Sequence, residues 1–143
     1  MQIEAAECSA EFGESATTPS TLNLRGIASI LADIYQGAEN AFQRIAKITR
    51  EGVPSGPDWH VGLLDQMSHV VQGSRPAVIQ AETRTALEEF RAFRHKVRHL
   101  YGFDLDWDQL RPVLDKADEA ITALVADLEA FCEWLDQLGE AEK

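Results

Sequence analysis

The chain has 143 residues, of which 45% are hydrophobic, and its formal net charge is −11. That length and apolar content suit one globular domain with a sizeable core, and they exclude a repeat array or a disordered protein. The acidic balance argues against a protein that coats nucleic acid, because the phosphate backbone would be repelled at long range. No apolar run approaches the ~18 residues of a membrane span, so we expect a soluble, cytoplasmic protein with no membrane partner.

The N-terminal residues 1–20 hold four acidic and no basic side chains, among small and polar ones. This composition is typical of a mobile or loosely attached arm, and the domain is predicted over residues 21–143. Apolar residues at three- and four-residue spacing predict a first helix over residues 22–50. A glycine- and proline-rich segment at 52–58 predicts the loop that follows.

The second helix is predicted over residues 57–71 and carries two histidines, His60 and His69. Both are isolated in the sequence, so we interpret them as surface or packing residues. The third helix is predicted over residues 80–101, after which Gly102 is placed to act as the left-handed C-terminal residue.

The fourth helix is predicted to start at Asp106, whose carboxylate forms a capping box with Gln109. Its apolar stripe continues to Leu138, and we expect Cys132 in or near the core. Cys8 and Cys132 are far apart in the sequence, which indicates neither a disulfide framework nor a zinc cluster. Four helices with short loops predict an all-α fold, an antiparallel four-helix bundle.

The charges are unevenly distributed along the chain. Residues 104–143 hold twelve acids against three bases, whereas residues 90–103 contain no acid and four bases: Arg91, Arg94, Lys96 and Arg98. A local basic patch of this kind suits a protein that holds one short piece of RNA at one cleft, or one that presents an acidic surface to a basic partner.

A three-residue motif lies in the third predicted helix: Arg94 is followed after four residues by His99, and Tyr101 comes two positions later. This Arg-x4-His-x-Tyr pattern resembles the signature of the HEPN superfamily (higher eukaryotes and prokaryotes nucleotide-binding), and more narrowly of its HepT-like ribonuclease toxins. The match continues through residues 102–107, Gly-Phe-Asp-Leu-Asp-Trp, and the similarity covers roughly residues 22–138. The resemblance implies a HEPN-like helical bundle with metal-independent RNA endonuclease activity.

Cleaving RNA without a metal requires a base for the 2′-hydroxyl proton, an acid for the leaving 5′-oxygen and cations that stabilise the phosphorane. Histidine titrates near neutral pH, and arginine is a permanent, fork-shaped phosphate partner. The resemblance assigns these two roles to His99 and Arg94, and it implies that the site is assembled across a homodimer. Four more residues are predicted to support the site or to bind RNA: His95, Arg98, Arg91 and Lys96. No cofactor is expected.

The positions of the motif residues on the helix set their relation to each other. Arg94 and His99 lie about 140 degrees apart, so they could flank a groove without touching. The basic residues lie opposite the apolar ones, which predicts that the motif faces solvent. His95 stands where the family often has asparagine. His95 and His99 also have the spacing of a helical two-histidine metal site, but no third ligand is evident.

Control of the activity is implied by the resemblance as well. In HepT-like toxins a cognate minimal nucleotidyltransferase antitoxin adds AMP to the motif tyrosine, so Tyr101 is the candidate acceptor and that enzyme the expected partner. The implied function is a toxin of a type II or VII-like toxin–antitoxin pair that cleaves tRNA or other cellular RNA. Two alternatives stay open: a non-catalytic HEPN-like bundle that binds nucleotide or a partner, and a structural interaction protein with a solvated basic face. Trp107 is interpreted as a core or interface anchor, with base stacking as the alternative.

Overall fold

A computed structural model of the protein describes residues 18–99 and 105–142. These residues form four α-helices: α1 (Thr21–Ile48), α2 (Trp59–Ser68), α3 (Ala81–Arg98) and α4 (Trp107–Ala141). They contain no strand, and their only bridge is an isolated antiparallel one between Val71 and Arg75. The predicted all-α helical bundle is therefore confirmed. All but three residues of the predicted arm, and the predicted helix end at Gly102, lie outside the described residues.

One core lies between α1, α3 and α4, and α2 packs against α1 and α3. The buried positions of α1 recur every three or four residues, as expected for an amphipathic helix. Trp107 is buried at the start of α4, so it anchors the core and its ring is not exposed for stacking on a base. The largest fully buried side chains include Tyr35 and Phe42 of α1, Leu63 and Met67 of α2, Leu87 and Phe90 of α3, and Leu110 and Leu114 of α4.

Side-chain caps define the first residues of the two longest helices. The Ser20 hydroxyl accepts a hydrogen bond of 3.2 Å from a backbone N–H in the first turn of α1. The Asp106 carboxylate caps α4, but it accepts from the Asp108 N–H at 3.0 Å. The predicted capping box is wrong, because the Gln109 side chain accepts a hydrogen bond from Lys96 Nζ on α3 instead of returning to Asp106.

A buried arginine joins the loops on the two sides of α2. Arg75, whose side chain is 0% exposed, donates to both carboxylate oxygens of Glu51 at 2.6 and 2.7 Å. Its other N–H groups donate to the main-chain oxygens of Gln66 at 3.0 Å and of His69 and Pro76 at 2.9 Å. The guanidinium thus uses all its donors, and the chain before α2 is tied to the chain after it.

The last turns of α4 extend past the core. Phe131 is the last buried residue of this helix. Cys132, which we expected in or near the core, is exposed, because one residue further along a helix points about 100 degrees away from the buried stripe. Although α4 has 35 residues, neither it nor another described helix has an apolar stretch that would span a membrane.

Candidate functional site

The arginine of the motif points into the bundle. Arg94 is only 7% exposed; its Nη2 donates to the side-chain oxygen of Gln36, and its Nη1 lies 3.7 Å from Oε1 of Glu39. The expectation that Arg94 faces solvent with the other basic residues is therefore wrong. Arg94 borders the apolar side of α3, where α1 covers it and supplies both a polar partner and an anion for the buried cation.

Glu39 connects this arginine to a histidine on a third helix. Glu39 is buried, at 1% exposure, and its Oε2 lies 2.6 Å from Nδ1 of His60 in the first turn of α2. An ionised carboxylate only accepts hydrogen bonds, so His60 Nδ1 carries the proton. The ring of Trp59 packs against the His60 ring, with centroids 3.7 Å apart. A chain of polar contacts thus links α3, α1 and α2 through Arg94, Glu39 and His60. We call these three residues the three-helix network.

Tyr35 lies one turn before Glu39 on α1 and is also buried, at 1% exposure. Burial, and then the charge of Glu39, raise the pKa of its hydroxyl well above the ordinary value. Tyr35 therefore stays protonated at neutral pH. It contributes a fixed aromatic wall beside the network and no titrating group.

The histidine of the motif faces the opposite way, towards solvent. His99 is exposed at the C-cap of α3, and its Nδ1 lies 2.7 Å from the main-chain oxygen of His95. Because a carbonyl only accepts, Nδ1 carries the proton, and in the neutral ring Nε2 keeps its lone pair. The His95 ring packs against the His99 ring with centroids 4.5 Å apart. His99 is thus a solvent-facing imidazole whose Nδ1 is engaged by the main chain.

The other basic residues of α3 differ in whether neighbouring side chains form ion pairs or hydrogen bonds with them. Arg98 is exposed and has no ion pair within the described residues. Arg91 donates to both oxygens of Glu88 at 2.8 and 2.7 Å, which lowers the pKa of that carboxyl. Lys96 bonds Gln109 at the edge of a largely apolar cavity of about 430 Å³ between α3 and α4. Among these three cations, Arg98 has the greatest capacity for a phosphate.

The structure separates the predicted site residues into two groups. His95, His99 and Arg98 are exposed together at the C-terminal end of α3, whereas Arg94 lies in the three-helix network. No described contact joins Arg94 to His99, and Tyr101 lies outside the described residues. In residues 18–99 and 105–142, no three His, Cys, Asp or Glu side chains are grouped to hold a metal ion.

Three polar residues around Arg94 escaped the sequence analysis: Gln36, Glu39 and His60. Glu39 had a detectable signal, since it lies four residues after Tyr35 and three before Phe42, within the apolar stripe of the first helix. His60 had none, because its partner is on another helix. His60 packs on Trp59, as a packing residue would, and its partly exposed ring also bonds a buried carboxylate.

Comparison with known proteins identifies a family. The family model described as HepT-like protein matches residues 26–135, which include most of α1 and α4, all of α2 and α3, and the three-helix network. Comparisons with curated proteins and with solved structures gave no significant match. Because the family model covers well over half of the sequence, the chain belongs to the HepT-like family.

Proposed function

We propose that the protein is a metal-independent endoribonuclease, the toxin of a type II or VII-like toxin–antitoxin pair, that cleaves tRNA or other cellular RNA. The observation that carries this proposal is the state of His99. Its ring is exposed at the end of α3, and the hydrogen bond from Nδ1 to the His95 oxygen leaves Nε2 as the proton-exchanging nitrogen. Membership of the HepT-like family supports the proposal, since the motif resembles that of the ribonuclease toxins.

His99 would serve one of the two proton transfers in RNA cleavage. As a base, Nε2 takes the 2′-hydroxyl proton while the 2′-oxygen attacks phosphorus and the bond from phosphorus to the 5′-oxygen breaks. As an acid, the imidazolium gives its proton to that departing 5′-oxygen. The products are a 2′,3′-cyclic phosphate and a 5′-hydroxyl end. One imidazole cannot be base and acid in the same turnover step, so a second group is required.

We assign the second proton transfer to His99 of the partner subunit in a homodimer. Ala92, Arg98 and His99 are exposed on α3. A small side chain such as that of Ala92 allows two helices to approach closely. The arrangement would bring one Arg98 from each subunit to the scissile phosphate, where guanidinium groups stabilise the charge of the phosphorane.

Arg94 is proposed to bind a phosphate oxygen with the N–H groups that its internal partners leave free. Gln36 and Glu39 engage its Nη2 and Nη1 sides. A guanidinium held by such contacts loses less entropy when it binds an anion than a freely rotating one does. Burial also strengthens its interaction with a phosphate that comes close, because water screens the charge less.

Control is proposed to act through Tyr101 and a cognate minimal nucleotidyltransferase antitoxin. Tyr101 follows Arg98 by three positions in the sequence. If its hydroxyl oxygen attacked the α-phosphorus of ATP, pyrophosphate would leave, the hydroxyl proton would pass to solvent, and the product would carry a phosphodiester anion near the arginine that is proposed to bind the RNA phosphate. The modified toxin would then lose RNA binding as well as cleavage.

The proposal is tested by incubating purified protein with RNA in excess EDTA, where cleavage should continue. The His99→Ala variant should cleave about 100-fold more slowly or worse, the usual scale for a lost acid or base. His69→Ala is the matched control, since His69 Nδ1 also bonds the main-chain oxygen four residues earlier, that of Asp65, at 2.6 Å. A requirement for a divalent ion, or equal losses in both variants, would refute the proposal.

A non-catalytic HEPN-like bundle that binds nucleotide or a partner is the second candidate, and the burial of Arg94 favours it. An arginine that is 7% exposed and paired with Glu39 also fits a purely structural ion pair. This candidate predicts that the wild-type protein binds RNA or nucleotide through Arg98 and leaves RNA intact over hours at neutral pH.

A further inference from the structure

We propose that His60 is a positioning residue that keeps Arg94 accessible to RNA. His60 forms a hydrogen bond with one oxygen of the buried Glu39 carboxylate. Without it, both carboxylate oxygens would bind the arginine as a bidentate pair. The effect of His60 on cleavage rests on the proposed ribonuclease function. Its effect on the Arg94 side chain does not, and it can be measured without any cleavage.

The two contacts of Glu39 are unequal. Its Oε2 lies 2.6 Å from His60 Nδ1, a short hydrogen bond, whereas its Oε1 lies 3.7 Å from Arg94 Nη1, beyond hydrogen-bond distance. The Glu39 side chain is 2% exposed, so water cannot replace either partner. The orientation of the carboxylate is therefore set by His60, and Arg94 is held near Glu39 mainly by charge.

Without the His60 donor, the buried carboxylate of Glu39 would accept hydrogen bonds from the nearest other cation. Arg94 is that cation, and a bidentate arginine–carboxylate pair is the strongest arrangement open to the two groups. Such a pair would use the Nη groups that a phosphate needs. His60 thus prevents Glu39 from neutralising the arginine fully, while Gln36 continues to fix its Nη2 side.

The position of His60 suits this role because its own helix is firmly placed. Trp59 packs on the His60 ring, and Leu63 and Leu64 of the following turn are buried in the core. The ion pair of the buried Arg75 with Glu51 joins the loops on the two sides of α2. A histidine that only packed against the core would not need to direct its Nδ1 at the buried carboxylate.

The test compares two replacements of His60 in the full chain. His60→Leu keeps the approximate volume and removes the donor, whereas His60→Asn keeps an N–H donor near the position of Nδ1. We expect His60→Leu to weaken binding of an RNA with a 2′-O-methyl group at the cleaved nucleotide about tenfold, and to lower kcat/KM for unmodified RNA by a similar factor. His60→Asn and the control His69→Ala should stay within about twofold of wild type.

A second change in the same carboxylate separates positioning from a general packing defect. Glu39→Gln removes the anion that would capture Arg94, so adding it to His60→Leu should restore RNA binding towards the wild-type value. A packing defect at His60 would not be repaired by a change on another helix. If the double variant binds RNA no better than His60→Leu, although it unfolds at a similar temperature, the inference is wrong.

NMR of the arginine side chains gives the readout that is independent of cleavage. In His60→Leu the Nε–Hε and Nη–H signals of Arg94 should shift and show slowed rotation about the Nε–Cζ bond, as in a bidentate pair. They should match wild type in His60→Asn. If these signals change in His60→Leu but the wild-type protein cuts no RNA, the proposed function is wrong and the inference about His60 stands. Unchanged signals in His60→Leu would overturn the inference even if wild type is an active ribonuclease.

Discussion

Arg94 and Arg98 lie one turn apart on α3, yet their surroundings give them different roles. Arg94 is buried with Glu39 at 3.7 Å, whereas Arg98 is exposed without an ion pair in the described residues. A buried charge that loses its partner is costly, because water cannot solvate what remains. An exposed charge contributes little to stability but attracts phosphate through solvent.

Replacing these two arginines should therefore have different effects on the stability of the fold. Arg94→Ala should lower the free energy of unfolding by about 3 kcal/mol or more, because it leaves Glu39 without its guanidinium. Arg98→Ala should change it by less than about 0.5 kcal/mol. Urea denaturation of both variants measures these differences. RNA binding of Arg98→Ala, titrated at several salt concentrations, should show a salt slope reduced by about one. Equal stability losses in the two variants would contradict the assignment.

The predicted modification is the addition of AMP to Tyr101. After co-expression with a minimal nucleotidyltransferase encoded beside it, the wild-type protein should gain the mass of AMP on a peptide that contains residue 101, and Tyr101→Phe should not. Mass spectrometry of the digested protein gives both results. Inhibition of Tyr101→Phe to the same extent as wild type would show that the partner acts by covering the site instead.

For the helices, the apolar stripes in the sequence predicted where each helix lies, but nothing in the sequence predicted the polar contacts between helices. Apolar periodicity placed the first helix at 22–50, close to its observed bounds. For α3 the same periodicity placed Arg94 on the solvent side, because the amount of cover that α1 provides cannot be read from one helix. The second helix ends at Ser68, earlier than predicted, since the main-chain oxygen of Met67 accepts hydrogen bonds from the loop before α3.

The ion pair of Arg75 and Glu51, which joins the loops before and after α2, leads to a prediction about stability and pH. The hydrogen bond from Arg75 lowers the pKa of Glu51 below its ordinary value. A carboxyl with a lowered folded-state pKa stabilises the fold above its unfolded pKa of about 4.3, and this contribution is lost as pH falls through the folded-state pKa.

Glu51→Gln should therefore be less stable than wild type at pH 7, by about 1 to 3 kcal/mol because it leaves the buried Arg75 without its anion, and this difference should shrink as the pH is lowered towards about 3. Chemical denaturation at both pH values measures it, with the exposed Glu140→Gln as the control. A difference from wild type that is the same at both pH values would mean that Glu51 contributes by shape and not by charge.

For the whole molecule, exposed basic side chains lie at the end of α3 and also at the end of α1, where Arg44, Lys47 and Arg50 are exposed. The net charge is −11, while the exposed C-terminal end of α3 carries Lys96 and Arg98 beside two histidines. If two chains shared the end of α3 in a dimer, the positive charge of both would add in one cleft. The bundle and its family were predictable from the sequence, whereas the homodimer stays a prediction that the family resemblance implies.

The dimer prediction is tested at Ala92, in the middle of the exposed face of α3. Light scattering of the wild type should give twice the mass of one chain at micromolar concentration. Ala92→Arg should give a monomer that keeps its helical circular dichroism but has lost cleavage activity, because two bulky cations would meet across the symmetry axis. Asp118→Arg, on an exposed part of α4, is the control. A fully active monomer would exclude the shared site.

In the proposed mechanism, cleavage uses the 2′-hydroxyl of the RNA, and His99 transfers the proton. The most direct measurement compares two oligonucleotides of one sequence in EDTA, one all RNA and one with a single 2′-deoxy nucleotide before the mapped cleavage position, followed by mass spectrometry of the product ends. The account predicts that only the RNA is cut there, leaving a 2′,3′-cyclic phosphate and a 5′-hydroxyl, and that His99→Ala produces neither. Cleavage of the deoxy-substituted strand at the same position, or products with 5′-phosphate ends, would contradict it.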